Sequence, residues 1–157
     1  MILSDKTAPA VLLIERPKRQ SDPWSGQIAF PGGKFQEGDV SLKATAIRET
    51  LEEVGIDLER SSDFLGFLGT FRTHTANIEV VPAVFLLRGK VRLRTNKEVA
   101  SHMWADLSQM LSGQAKFSHR VLLGGELREV PAFKVGDYVV WGLTHRIISA
   151  LVDSGSA

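Results

Sequence analysis

Short apolar runs separated by glycine, proline and aspartate recur along the whole chain and predict one mixed α and β unit. Residues 10–15 are apolar almost throughout and are followed by Pro17, which predicts a strand that ends there. Further apolar runs predict strands at residues 64–71, 78–87, 99–104 and 139–141, the second of them interrupted by a proline. Since strands and helical segments are interspersed, the pattern favours an α/β or α+β fold.

Three other segments have the spacing of helices. Ser41 is a suitable N-cap for a helix that runs to about Val54, and Gly55 can close that helix in the left-handed conformation. Residues 106–111 predict a short helix, and residues 144–152 predict a closing amphipathic helix.

The first residues predict the end of a strand. Met1-Ile2-Leu3 is apolar and Ser4-Asp5-Lys6 is polar, as in the second half of a strand that pairs with residues 10–15. We therefore expect further residues before Met1 in the natural chain. A strand without its start leaves an edge that needs cover, and a homodimer is one way to supply it.

Residues 44–54 separate into two faces on a helical wheel of about 100° per residue. The apolar face consists of Ala44, Ile47, Leu51 and Val54, and the acidic face of Glu49, Glu52 and Glu53. We expect the apolar face to pack in the core, so that the three carboxylates point together to one region outside it.

Composition bounds the class of protein. The chain has 157 residues, of which 43% are hydrophobic, and this suits a single domain over residues 1–157. Its apolar runs are too short to span a bilayer, and its first residues lack the basic, apolar and small-residue order of a signal peptide. We therefore expect a soluble cytoplasmic protein without a membrane partner. Its 19 basic and 18 acidic residues form no long run of one sign, which argues against a nucleic-acid polymer as partner.

The acidic face predicts metal chemistry. Carboxylates three and four residues apart on a helix repel one another, and a divalent cation reverses the sign of that interaction. Mg²⁺ and Mn²⁺ prefer oxygen ligands and are commonly shared between carboxylates and substrate phosphates. The chain has no cysteine, so thiolate zinc sites and thiol nucleophiles are excluded. The alternative is that the glutamates are simply solvated on an exposed face.

Phe30-Pro31-Gly32-Gly33-Lys34 precedes the acidic helix and predicts a rigid turn. Two adjacent glycines let backbone amides or carbonyls approach a phosphate or a metal without a Cβ in the way. The turn and the helix together favour a site for a metal and a phosphate over solvated glutamates.

Residues 32–56 resemble the Nudix box. In that pattern a glycine is followed after five residues by Glu, and after seven more by Arg-Glu, an aliphatic residue, any residue, Glu-Glu, any residue, Gly and an aliphatic residue. The matching residues here are Arg48, Glu49, Glu52, Glu53, Gly55 and Ile56. Asp39 stands where glutamate is usual, eight residues rather than seven separate it from Arg48, and Thr50 replaces the aliphatic residue.

This stretched box is similar to that of the coenzyme A diphosphatase branch of the Nudix hydrolases. Leu12-Leu13-Ile14-Glu15-Arg16 and Gly26-Gln27-Ile28-Ala29-Phe30 resemble the upstream signature of that branch. Ile14 stands where threonine is usual, and Asp22-Pro23-Trp24 takes the place of an expected basic residue. Similar residues also occur downstream, at Val80-Val81-Pro82, Asn96-Lys97-Glu98-Val99 and Trp141-Gly142-Leu143-Thr144.

The resemblance implies a Nudix-type α/β/α sandwich with a mixed central sheet and metal-dependent hydrolysis of a diphosphate linkage in a nucleotide derivative. Its first expectation is coenzyme A or a thioester, cut to adenosine 3′,5′-bisphosphate and phosphopantetheine. It implies Mg²⁺ or Mn²⁺ held by Glu49, Glu52, Glu53 and the backbone of Gly33. The catalytic residues that it implies are the same three glutamates with Arg48, which orients a carboxylate, and Glu98, which shares the candidacy for general base with the box glutamates.

Coenzyme A has a diphosphate, a 3′-phosphate and an adenine, so its site needs cations and aromatic side chains. The substrate-binding candidates are Arg16, Trp24, Gln27, Phe30, Gly32, Gly33, Lys34 and Arg72.

Two rival functions stay open at this point. A Nudix enzyme with another substrate would cut a nucleoside diphosphate sugar, a dinucleotide or a nucleotide. A non-catalytic binding module would sense a nucleotide without cutting it, although such proteins are expected to lose box glutamates. The four histidines are too scattered for a zinc-protease site, and neither a Gly-x-Ser-x-Gly elbow nor a Walker sequence occurs.

Overall fold

The computed structural model describes residues 1–4, 8–20, 22, 24–73 and 77–154. Its strands are β1 (Ile2–Ser4), β2 (Ala10–Glu15), β3 (Ile28–Ala29), β4 (Ser62–Phe67), β5 (Phe71–Arg72), β6 (Glu79–Val80), β7 (Ala83–Leu87), β8 (Ser101–Asp106), β9 (Lys116–Leu123), β10 (Glu126–Val135) and β11 (Tyr138–Trp141). Its helices are α1 (Leu42–Val54), α2 (Leu58–Ser61), α3 (Leu107–Leu111) and α4 (Gly142–Ser154). Within the described ranges, no helix is long and apolar enough to cross a membrane.

Strand β2 is the centre of a six-stranded sheet. Strand β8 pairs antiparallel with its whole length, while β1 and β3 pair with opposite ends of its other side. Strand β7 runs parallel to β1, and β4 runs antiparallel to β7 at the edge. The sheet is therefore mixed, which confirms the fold expected from the resemblance.

The two faces of this sheet carry different helices. Leu12 and Ile14 belong to a buried cluster that includes Val54 of α1. Leu13, which points to the opposite face because side chains alternate along a strand, belongs to a cluster that includes Ile148 of α4. The sheet thus lies between α1 on one side and α4 on the other, in a three-layer sandwich.

The predicted strand over residues 64–71 is in fact two strands in different sheets. Strand β4 ends at Phe67, and the chain then leaves for the small β5–β6 hairpin. The predicted strand over residues 78–87 is split in the same way into β6 and β7, with Pro82 between them. Proline lacks the N–H that a continuous ladder requires, and here the chain changes sheets at that point.

A long hairpin of β9 and β10 was absent from the sequence prediction. It forms a second sheet with β11, in the order β11-β10-β9. Most side chains of β9 are exposed or half-buried. Leu122 and Leu127, which face each other across the two strands near the β9–β10 turn, are both exposed. The hairpin is held mainly by its own backbone ladder, so it lacks the alternation of buried and exposed positions that identifies a strand in a sequence.

Strand β1 does not lie at an edge, contrary to the expectation from its sequence. It pairs antiparallel with β2 and parallel with β7, so it lies inside the sheet. The pairing with β7 joins residues more than 80 positions apart in the chain, and no local pattern signals it. The predicted strands over residues 10–15, 99–104 and 139–141 and the three predicted helices are confirmed to within a few residues.

Candidate active site

Helix α1 has well-defined ends, which determine where its side chains point. The Ser41 hydroxyl accepts a hydrogen bond from the Ala44 N–H at 3.1 Å and caps the first turn. Gly55 closes the helix with a φ of 72°, and its N–H donates to the Leu51 carbonyl. The loop before β8 covers the last turn, because Asn96 N–H donates to the carbonyl of Glu53 at 3.0 Å.

The prediction that the apolar side chains of α1 point into the core and its glutamates point outward was wrong. Leu51, expected in the core, is 51% exposed, whereas Glu49 and Glu53, expected outside, are 8% and 3% exposed. Of the predicted apolar stripe, only Val54 is buried; the inward face otherwise consists of Thr45, Glu49, Thr50 and Glu53. The reason is that the Gly-Gly turn and Arg48 supply hydrogen bonds to the carboxylates, which an apolar stripe could not use.

The Gly32-Gly33 turn contacts both buried glutamates. The Gly32 N–H donates to Oε2 of Glu53 at 2.8 Å. At Gly33 the approach is closer still, since a Cβ there would overlap the carboxylate of Glu49. Any side chain at position 33 would therefore force the Glu49 carboxylate or the turn to move. Pro31 is buried beside them and Phe30 packs against the core, which anchors the turn.

Arg48 connects this cluster to the loop before the helix. Its Nε and Nη2 each donate to a different oxygen of Asp39 at 3.0 Å, and its Nη1 donates to Glu49 at 2.8 Å. Nη2 also donates to the Lys34 carbonyl at 3.2 Å. Asp39 accepts two further hydrogen bonds, from the Thr45 hydroxyl and the Gln36 N–H. Arg48 thereby binds Asp39, Glu49 and one loop carbonyl closely, and its Nη1 also lies 3.5 Å from the Glu52 carboxylate.

The Arg48 guanidinium holds the pKa of Asp39 well below its usual range, and the hydrogen bond to Asp39 in turn raises the pKa of Arg48. Both side chains therefore stay charged. The sequence identified Asp39 only as the acid of the box, and its pairing with Arg48 was missed. The signal for it is the position of an acid in the loop just before the helix N-cap.

Glu53 differs electrostatically from these groups. Its pKa is raised to about 7, mainly by burial and to a smaller extent by the nearby charges of Glu49 and Glu98, while the Gly32 N–H and Arg16 act in the opposite direction. Glu98 and Arg16, two residues predicted for the site, therefore lie close enough to act on Glu53. Their positions in the chain explain this. Glu98 lies two residues after Asn96, whose N–H donates to the Glu53 carbonyl, and Arg16 follows β2 on the same face as Ile14.

Arg16 has a partner that the sequence did not predict. Its Nε and Nη2 donate to Oδ2 of Asp22 at 3.1 and 2.7 Å. The other oxygen of Asp22 accepts from the Trp24 N–H at 2.9 Å. Gln27, another predicted residue, uses its carbonyl to accept from the Arg16 N–H. Trp24 and Gln27 thus lie in the loop that folds back onto Arg16.

The remaining predicted site residues lie at the margin of this cluster or outside it. Glu52 is exposed, with its carboxylate 3.5 Å from Arg48. Lys34 contributes its carbonyl, while the residue as a whole is exposed. Arg72 pairs with Glu79 at 2.8 Å on the β5–β6 hairpin, and its carbonyl accepts from Arg146 of α4.

The capacity for a metal rests on the two buried glutamates. As the side chains stand, no three acidic or histidine groups among the described residues are close enough together to enclose an ion. Glu49 and Glu53 nevertheless form an inward pair one helical turn apart, and each lies against a glycine of the turn. The oxygens of these two buried carboxylates are the ligands that a hard divalent cation prefers. Arg48, which contacts Asp39, Glu49 and Glu52, holds the surrounding acids in place.

His74 lies outside the described residues. Of the other histidines, His102 is exposed, His119 lies 5.9 Å from the Trp141 ring, and His145 stacks on Phe133 at 4.5 Å. Burial lowers the pKa of His145. None of these three contacts the glutamate cluster, which agrees with their interpretation as surface or packing residues.

Comparison with known proteins gives a consistent result. The NUDIX domain profile matches residues 1–123. A Schizosaccharomyces pombe protein of uncharacterized function is 42% identical over 113 residues, which cover 67% of this chain and 34% of that protein. The human mitochondrial coenzyme A diphosphatase NUDT8 is 30% identical over 145 residues, which cover 91% of this chain and 61% of that protein. The matched region is thus less than two thirds of the length of either relative.

Among solved structures, the Nudix hydrolase RenU of M. smegmatis superposes with a TM-score of 0.64. The alignment covers 99% of this chain and 82% of that one, at 13% identity. At this identity the likeness concerns the fold alone.

Proposed function

Since the NUDIX profile covers most of its length, the chain belongs to the NUDIX family, and on that premise we propose that it hydrolyses a diphosphate linkage in a nucleotide derivative. The observation that carries this proposal is the pair of buried glutamates, Glu49 and Glu53, against the Gly32-Gly33 turn. Burying two carboxylates side by side costs free energy, and a fold keeps such a pair where it has a use.

We propose Mg²⁺ or Mn²⁺ as cofactor, held by Glu49 and Glu53 together with Glu52 and the backbone carbonyl of Gly33. The absence of a side chain at Gly33 leaves its backbone accessible from the carboxylate side. Such an ion, when bound, neutralises phosphate charge and lowers the pKa of a coordinated water.

The remaining chemistry belongs to residues of the chain itself. Arg48 holds Glu49 through Nη1 and is itself fixed by Asp39, so the carboxylate cannot swing away. The Gly32 N–H holds Glu53 in the same manner. Arg16 and Lys34 are the cations proposed to take up phosphate oxygens. The proton of the attacking water passes to a carboxylate oxygen of Glu98 or of a box glutamate, and a Glu98→Gln variant distinguishes them.

Coenzyme A is the first substrate that we propose. The support comes from the upstream and downstream segments that resemble the coenzyme A diphosphatase branch, and from a relative that bears that name at 30% identity. Nucleoside diphosphate sugars, dinucleotides and free nucleotides are the rival substrates. The cytoplasmic location and the homodimer remain predictions.

The decisive experiment is a substrate panel with product identification by mass. The protein is incubated with Mg²⁺ or Mn²⁺ and with coenzyme A, ADP-ribose, a dinucleoside polyphosphate or a nucleoside triphosphate, with a chelator as the control. We expect metal-dependent formation of adenosine 3′,5′-bisphosphate and phosphopantetheine. Cleavage of another member would keep the reaction and change the substrate, whereas tight binding without cleavage of any member would favour the binding module.

A further inference from the structure

Asp22, in the loop between β2 and β3, has no role in the chemistry proposed so far, although it pairs with Arg16, which is proposed to bind phosphate. Arg16 presents Nε and Nη2 to the same oxygen of Asp22, at 3.1 and 2.7 Å. Within the part of the chain that the structure describes, its third nitrogen, Nη1, has no hydrogen-bond partner. Two of the three guanidinium nitrogens are thus occupied and one remains available.

The loop is folded so that Asp22 reaches back to Arg16. Its ends are joined where the Arg16 N–H donates to the Gln27 carbonyl at 3.0 Å. Within it, the Ser25 N–H donates to the Asp22 carbonyl, and the Trp24 N–H donates to Oδ1 of Asp22. Asp22 therefore has one oxygen for the loop backbone and one for the guanidinium.

The position of Arg16 places this pair at the carboxylate cluster. Ile14, two residues earlier in β2, packs with Val54 at the end of α1, and residues two apart in a strand share a face. Arg16 therefore emerges on the α1 side of the sheet, within electrostatic range of the Glu53 carboxylate. A diphosphate that reaches Glu49 and Glu53 also comes within range of a guanidinium in this place.

We propose that Asp22 is a positioning residue, which holds the Arg16 guanidinium beside the carboxylate end of α1 so that Nη1 takes an oxygen of the diphosphate. This rests on the proposed function for the nature of the ligand. A guanidinium on a flexible side chain loses rotational freedom when it binds a phosphate, and Asp22 removes part of that cost beforehand. The acidic residue thus strengthens anion binding, although its own charge would repel the anion.

The test is a double-mutant cycle read by equilibrium binding of α,β-methylene-ADP, a diphosphate that cannot be hydrolysed at that bridge. Dissociation constants are measured calorimetrically with Mg²⁺ for the wild type, Asp22→Asn, Arg16→Met and the double variant. Asparagine keeps the acceptor for the Trp24 N–H and removes the charge that holds Arg16. We expect Asp22→Asn to weaken binding about tenfold in the wild-type background and about twofold or less in the Arg16→Met background.

A matched control is Asp63→Asn on the edge strand β4. It weakens an exposed ion pair between Asp63 and Arg88 and should leave the dissociation constant unchanged. An equal effect of Asp22→Asn in both Arg16 backgrounds would show that Asp22 acts through the loop, and the inference would fail. Failure of the wild type to bind the analogue, or no effect of Asp22→Asn, would also overturn it.

Hydrolysis by the wild type is measured separately with the substrate panel, which keeps the two proposals distinguishable. Cleavage without coupling between Asp22 and Arg16 refutes the positioning role alone. Coupling in analogue binding without cleavage of any panel member refutes the hydrolase and leaves the positioning role in place.

Discussion

Helices α1 and α4 have the same length, 13 residues, and pack on opposite faces of one sheet, but they bury opposite kinds of side chain. Helix α4 buries Ile147 and Ile148, as an amphipathic helix is expected to do. Helix α1 buries Glu49 and Glu53 and leaves Leu51 half exposed. Helix α4 therefore contributes hydrophobic stabilisation to the fold, while the inward face of α1 requires polar partners for its buried carboxylates.

Those partners are all polar groups contributed by neighbouring parts of the chain. The Gly32 N–H, the Arg48 guanidinium and, through it, Asp39 satisfy the carboxylates. Positions where a sequence violates the ordinary rules of burial and is then compensated locally are typical of functional sites. The contrast between α1 and α4 thus separates a face that we propose for the chemistry from one that stabilises the fold.

The largest effect is expected from Glu53→Gln, which removes a charge from α1 and preserves its shape. We expect kcat to fall on the order of 10³-fold without unfolding, because the carboxylate is proposed to hold the metal. Steady-state kinetics with the substrate found in the panel measure this. Glu59→Gln, on the exposed surface of α2, is the control. A rate near that of the wild type would remove Glu53 from the catalytic machinery.

The second test is Ile148→Ala, which truncates a fully buried side chain of α4. We expect it to lower the free energy of unfolding by about 2–5 kcal/mol and to leave kcat of the folded protein unchanged. Urea unfolding followed by tryptophan fluorescence measures the loss. Leu51→Ala on α1 is the matched variant and should cost only about 0.5 kcal/mol. An equal cost for the two variants would mean that the outer stripe of α1 is buried after all.

Gly33→Ala changes no charge and should affect the carboxylates of α1 only by steric overlap. The new Cβ would overlap the Glu49 carboxylate, so that side chain or the turn has to shift. A displacement of about 1 Å at a reacting centre is expected to reduce kcat about 10²-fold. At Gly89 an added Cβ meets nothing within 4 Å, so Gly89→Ala is the control. Full activity of Gly33→Ala would show that the turn is not close to the reaction.

The smallest effect concerns stability and pH in the presence of a chelator. Burial raises the pKa of Glu53 to about 7, whereas its ordinary value is 4.5. Between pH 4.5 and pH 7, Glu53 holds a proton in the folded state that it has lost in the unfolded state, so the free energy of unfolding falls as pH rises. Above pH 7 the destabilisation caused by burying the charged carboxylate is complete.

We expect the Glu53→Gln variant, which lacks this titration, to gain stability over the wild type on the order of 1–2 kcal/mol between pH 5 and pH 8. Chemical unfolding of both proteins at the two pH values measures that difference. The same difference at pH 5 and pH 8 would contradict a raised pKa at this position.

Much of the fold was predictable where the signals are local. Ser41 and Gly55 identified the ends of α1, and the run of apolar residues identified β2 at its observed bounds. The β9–β10 hairpin was not predictable in this way, because its side chains are mostly exposed on both faces. The interior place of β1 depends on a pairing with β7, and pairings between distant segments have no local signature.

For the site, the sequence identified the glutamates, the Gly-Gly turn and Arg48, and it misjudged the direction in which the glutamates face. A helical wheel assumes that apolar residues point inward, and in the predicted stripe of α1 only Val54 is fully buried, while Ile47 packs partly against the same core. The hydrogen bonds from Arg48 to Asp39 and from Arg16 to Asp22 were missed, since an ion pair with an aspartate in a loop depends on how that loop folds.

The sequence by itself determined which groups are present and in what local order: three glutamates on one helix, two glycines before it, and no thiol that could replace oxygen ligands. The tertiary structure alone decided which face of that helix is covered and which cations and amides reach the carboxylates. The physical reason is the separation along the chain over which each interaction acts. Capping and turn formation act over a few residues, whereas the burial of a charge depends on partners that folding brings from elsewhere in the chain.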